Sequence, residues 1–135
     1  GFAHYFLGPT AAMSAGVGGH LPINFVDFDP WGGPWLAMDA FFSGLKPTVP
    51  KLVFVVNDGL PQRLKMHVAW STEGLEDAVQ HFGNAAIYEN YLDVCKWLVR
   101  KKAAGAGYAL RRWTAYLSGF NHHMAHYAAV LERAG

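Results

Sequence analysis

Charge is scarce in this sequence: 16% of its 135 residues are Asp, Glu, Lys or Arg, against about 25% in ordinary soluble domains. With 52% of the residues hydrophobic and 15% aromatic, a free monomer would be short of solvated surface, which predicts burial against other proteins or lipid. Cysteine is almost missing. Cys95 is single, so it excludes an intrachain disulfide and argues against a disulfide-stapled secreted module. No repeat, low-complexity tract or linker divides the chain, so residues 1–135 are expected to form a single domain with one core. A net charge of +1 gives no reason to expect a nucleic acid partner.

The recognisable catalytic motifs are also missing. The glycines from Gly16 to Gly19 are not followed by GK[ST], so they make no phosphate loop. Asp27 and Asp29 lie two apart in a turn-rich stretch, which does not place two carboxyl groups on opposite sides of a sugar. Cys95 with His81 would be a nucleophile and base, but apolar spacing turns Cys95 inward, where a thiol behaves as a small hydrophobe. These absences predict a protein that is not an enzyme and carries no cofactor.

What is present divides the chain into three stretches. Residues 1–26 hold no Asp, Glu, Lys or Arg. Ala12 with Gly16 and Ala15 with Gly19 have the spacing of close helix packing, but Pro9, Pro22, His4 and His20 oppose a regular membrane span. An extended charge-free arm lying across a partner is expected, with residues 5–21 as a weak membrane segment in the alternative. In residues 27–83, Trp35 to Leu45 reads as a short helix stopped by Gly44 and Pro47. Lys51 to Val56 and the alternating run Arg63 to Trp70 read as a small β-hairpin. A short helix capped at Ser71 or Thr72 follows, turning Leu75, Val79 and Phe82 inward.

In residues 84–135 the apolar spacing is helical. Asn84 is a plausible cap, and Ala85, Tyr88, Leu92, Cys95 and Val99 follow at steps of three and four. Gly105 and Gly107 then break the chain. Leu110, Trp113, Leu117, Phe120, Met124, Tyr127 and Leu131 repeat at three and four without exception, a seam long enough to take a partner helix. The expected fold is therefore mainly α with a small β-hairpin, ending in an antiparallel helical hairpin.

Two constellations remain. Six of the eleven basic residues fall between Lys96 and Arg112, and the helical hairpin would bring Lys101 and Lys102 to the same end as Arg111 and Arg112. That corner suits a phosphate, an acidic partner or an anionic lipid such as cardiolipin. His122 and His126, with His123 between, have the one-turn spacing of two metal ligands, but a third ligand and the glutamate of an HExxH site are missing. No metal is expected there; the alternative is a soluble helical metal- or haem-binding protein or enzyme using the three histidines.

Together these features predict a non-catalytic accessory subunit of a large hetero-oligomeric complex, acting through contacts with other subunits and with lipid. By analogy with the small subunits of energy-converting assemblies, the host would be a respiratory-chain complex or ATP synthase. The protein would sit peripherally or weakly inserted at the mitochondrial inner membrane, and a targeting segment removed before Gly1 would explain the missing initiator methionine.

Overall fold

The computed structural model describes residues 24–29, 33–44, 49–65 and 74–134. Four strands, β1 (Phe25–Phe28), β2 (Lys51–Asp58), β3 (Tyr108–Ser118) and β4 (Met124–Arg133), form one mixed sheet in the order β1-β2-β4-β3. Between them lie α1 (Trp35–Gly44), α2 (Leu60–Lys65), α3 (Glu76–Phe82), α4 (Asn84–Glu89) and α5 (Tyr91–Gly105). The fold is α/β, not mainly α.

β1 and β2 run parallel, with Phe28 opposite Val56, which requires a crossover, and α1 supplies it. Its first helical bond runs from the Met38 N–H to the Pro34 carbonyl, and Trp35, Met38, Phe41 and Phe42 bury one side of it. Along β2, Leu52, Phe54, Val56 and Asp58 are buried in strict alternation, the period-two signature of a strand with one face on the core. β4 does the same with Ala125, Tyr127, Ala129 and Leu131. Phe28 meets Phe41 and Phe54 edge-on at 5.7 and 5.8 Å, and Tyr127 stacks between Trp35 and Trp113. The described helices share this single core, including Val94, Cys95, Leu98 and Val99 of α5.

The largest departure from the sequence reading is the C-terminal third. The seam Leu110, Trp113, Leu117, Phe120, Met124, Tyr127 and Leu131 is not a helix but the β3–β4 hairpin, turned by a 3₁₀ segment at Phe120–His122. Leu110 faces Leu131, but a bulge between Leu110 and Arg112 shifts the register, so that Trp113, Ala115 and Leu117 face Ala129, Tyr127 and Ala125. An extra residue inserted into a period of two gives the step of three from Leu110 to Trp113, and the turn gives the one from Leu117 to Phe120; Met124 and Tyr127, also three apart, fall on opposite faces of β4. Phe120, placed inside the seam by helical spacing, is 82% exposed.

Smaller corrections follow the same logic. The proposed strand from Arg63 begins instead as the end of α2, and residues 66–70 lie outside the described part, as do the arm at 1–23 and the capping residues Ser71 and Thr72. The helix expected from Asn84 is two helices, α4 and α5, which meet at Asn90; Ala85 and Tyr88 are exposed rather than part of a buried seam. Leu75 is buried, whereas Phe82 is 41% exposed. The helix from Trp35, the strand from Lys51 and the burial of Cys95 agree with expectation.

Candidate functional site

A connected set of polar residues lies at one end of the sheet. Because β4 is antiparallel to β2, its beginning lies beside the carboxyl end of β2: Asn57 pairs with His126, which pairs in turn with Tyr116 of β3. Asp29, exposed, directly follows the Phe28–Val56 pair and so extends this row at the carboxyl end of β1. The side chains are connected as well as aligned. His126 Nδ1 lies 2.7 Å from Asn57 Oδ1 and Nε2 lies 2.5 Å from Ser118 Oγ. The Tyr116 ring stacks on the imidazole with centroids 4.8 Å apart.

On the core side of the same strand end sits Asp58, the one buried charged residue of the described core and 0% exposed. Its Oδ1 accepts the Leu60 N–H at 2.9 Å, which starts α2. Its Oδ2 accepts the hydroxyls of Tyr91 at 2.5 Å and Tyr127 at 2.8 Å, and Trp35 Nε1 donates to the Tyr91 hydroxyl. Burial pushes the Asp58 carboxyl up to about 6, against the opposing pull of the Tyr91, Leu60 and Tyr127 hydrogen bonds. Burial also raises Tyr91 and Tyr127 well above the usual phenol value, so both remain donors. The Cys95 thiol is raised for the same first cause; with His81 stacked instead on Trp97, this removes the cysteine nucleophile.

A cleft of about 600 Å³ opens beside this network, a size that suits a small-molecule ligand. Tyr91, Asn90, Glu89, Asp93, Leu117 and His122 line it. Two exposed carboxylates at its wall, Glu89 and Asp93, favour ligands that present hydroxyl or amino groups.

The basic residues and histidines singled out by spacing have separate partners. Lys101 pairs with Asp77 at 3.4 Å, Lys102 with Asp39, and Arg111 with Glu132 at 3.3 Å, while Arg112 lies exposed on β3. Three of the four basic groups thus face an acid, Arg111 sharing Glu132 with Lys51. His122 and His126 are no longer one helical turn apart, since His122 sits at φ 54° in the turn and His126 is held within the sheet. His123 Nδ1 is engaged by the Phe120 carbonyl. Among the described residues no three His, Cys, Asp or Glu side chains converge as metal ligands, and no helix is long and apolar enough to cross a membrane. Neither Asn57 nor Ser118 was visible as a site residue from the sequence: their only signal is register across three strands. No protein-family model and no curated protein matches the sequence.

Proposed function

We propose that this chain is the substrate-facing part of an α/β group-transfer enzyme that binds a nucleoside-bearing ligand at the carboxyl ends of β1 and β2. The carrying observation is that Asp29, Asn57, Ser118 and His126 all lie at that one end of the sheet. Open α/β sheets bind ligands outside the carboxyl ends of their parallel strands, because the loops there are free to vary while the strands hold them in place. Asp29 would accept hydrogen bonds from a substrate amine. Glu89 and Asp93 suit the hydroxyls of a ribose.

The chemistry to test first comes from fold-level analogy alone. A parallel βαβ unit followed in the sheet by a reversed last strand, with its hairpin partner at the edge, is how the doubly wound sheets of methyltransferases are closed. Calorimetric titration of the purified chain with S-adenosylhomocysteine is expected to give saturable binding of one ligand, weakened about tenfold or more in Asp29→Ala through loss of a charged acceptor. Absence of binding by this ligand and by adenosine would overturn the reading.

A second reading is favoured by the aromatic residues left at the surface. Phe25 is 57% and Phe120 82% exposed, and with so little charge they suit a face buried in an assembly. The accessory-subunit reading stands on this, no longer on a helical seam; a mitochondrial host and lipid contacts at Lys101, Lys102, Arg111 and Arg112 remain part of that proposal. It predicts comigration with a much larger complex after mild detergent extraction, whereas a stable species near the chain mass of 14.9 kDa would refute it.

A further inference from the structure

We propose that Asn57, His126 and Ser118 form an orienter, base and nucleophile, and that Ser118 is an activated serine that takes acyl groups from esters with an apolar or aryl portion. The inference concerns the same end of the sheet but rests on side-chain geometry alone and does not depend on whether a nucleoside binds there.

The arrangement contains the elements such chemistry needs. Asn57 Oδ1 accepts only, so at 2.7 Å it places the proton of a neutral imidazole on Nδ1. Nε2 is left with its lone pair directed at Ser118 Oγ, 2.5 Å away. A nucleophile within hydrogen-bond reach of a base, with a third group fixing the tautomer of that base, is the general pattern of activated serine. The ring has little freedom, because its two nitrogens are engaged on different strands and Tyr116 stacks on its face at an interplanar angle of 25°. The backbone supports all three residues: Asn57 lies on β2, His126 on central β4, and Ser118 ends β3.

Access separates this set from the polar network on the other face. Asp58 and its tyrosines are enclosed, whereas Ser118 is half-buried between Tyr116, 59% exposed, and the turn carrying Phe120, 82% exposed. Tyr116, stacked on His126, and Phe120, two residues beyond Ser118, are exposed rings that favour an ester whose acyl or leaving group is apolar or aromatic.

With p-nitrophenyl acetate the step balances as follows. Ser118 Oγ bonds to the carbonyl carbon as its proton passes to His126 Nε2. The bond to the aryl oxygen breaks, p-nitrophenolate leaves with the electron pair, and Ser118 is acetylated. His126 returns its proton to solvent, takes one from an attacking water, and the resulting acetate departs as Ser118 Oγ recovers a proton.

The test uses a fluorophosphonate probe, which loses fluoride as the Ser118 oxygen bonds to phosphorus, with the modified site identified by peptide mass spectrometry. Ser118 should be labelled at least about 100-fold faster than the exposed Ser43, which has no histidine partner. His126→Ala should remove that advantage, Asn57→Ala should reduce it, and Asn57→Asp, which still accepts from Nδ1, should restore most of it. Equal rates at Ser118 and Ser43 in the folded wild type overturn the proposal without reliance on any variant. Undiminished labelling in His126→Ala overturns it as well.

Discussion

Alanine at Gly74 is expected to destabilise the fold by about 3 kcal/mol or more, from two additive causes. Gly74 has φ +80°, where a side chain costs about 1–2 kcal/mol. An added Cβ would also lie 2.5 Å from the Trp35 Cβ and 2.9 Å from the Trp35 carbonyl carbon. The obstacle is the first turn of α1, so neither neighbour is the flexible end of a side chain. Relief would require α1 to move away from the sheet, pulling on the Trp35 contact with Tyr91 and on Lys102, which donates to the Gly74 carbonyl at 3.3 Å. Gly83→Ala is the internal control: at φ +85° and ψ 166° it lies in a region nearly confined to glycine, but nothing lies within 4 Å of the added carbon, so only the conformational cost of about 1–3 kcal/mol applies. Denaturant titration of the two variants should separate them clearly; equal losses would mean that the close approach of residue 74 to α1 is wrong.

The second large effect is expected at Asp58. Truncation to alanine leaves the Leu60 N–H and the hydroxyls of Tyr91 and Tyr127 without their acceptor. At about 1–3 kcal/mol for each buried donor left unsatisfied, Asp58→Ala should lose about 4 kcal/mol near pH 5. The loss depends on pH in a defined direction. The folded carboxyl is raised from 3.8 to about 6, so the folded state holds its proton more tightly than the unfolded chain. The associated stability is fully present below about pH 4 and is lost as pH rises through about 6, about 3 kcal/mol in all. Wild type should therefore weaken relative to Asp58→Asn by about 2 kcal/mol between about pH 4 and pH 8, measured by paired denaturant titrations. A constant difference across that range would contradict a proton held at Asp58.

The same residue illustrates what sequence does and does not carry. Asn57-Asp58-Gly59 reads as a hairpin turn, but Asn57 and Asp58 are the last paired residues of β2 and lead into α2; that Asp58 ties together β2, α2, α5 and β4 depends on where Tyr91 and Tyr127 arrive. The local elements up to Val56 are legible: Gly and Pro bracket α1, and Lys51 to Val56 is β-branched and short. β3 and β4 are not, for a physical reason. Their sequence is rich in Ala, with Ala or Val on both faces of β4, so the contrast between buried Ala129 and half-buried Ala128 or Val130 vanishes from the pattern. The bulge at Leu110/Arg112 then supplies the step of three that mimics a helix. Once the hairpin is mistaken for a helix, His126 is matched with His122 instead of Asn57 and Ser118. The candidate site is thus a property of strand pairing, and a one-residue change of register would dissolve it.

The central claim is that function resides at the carboxyl edge of β1 and β2. Its most direct test is amide chemical-shift mapping of the isotopically labelled chain during titration with S-adenosylhomocysteine. Shifts concentrated at Asp29, Asn57 to Leu60, Glu89 to Asp93 and Tyr116 to His126 are predicted. Shifts confined to the opposite end of the sheet, around Lys51, Arg111 and Glu132, or no shifts at saturating ligand, would contradict it.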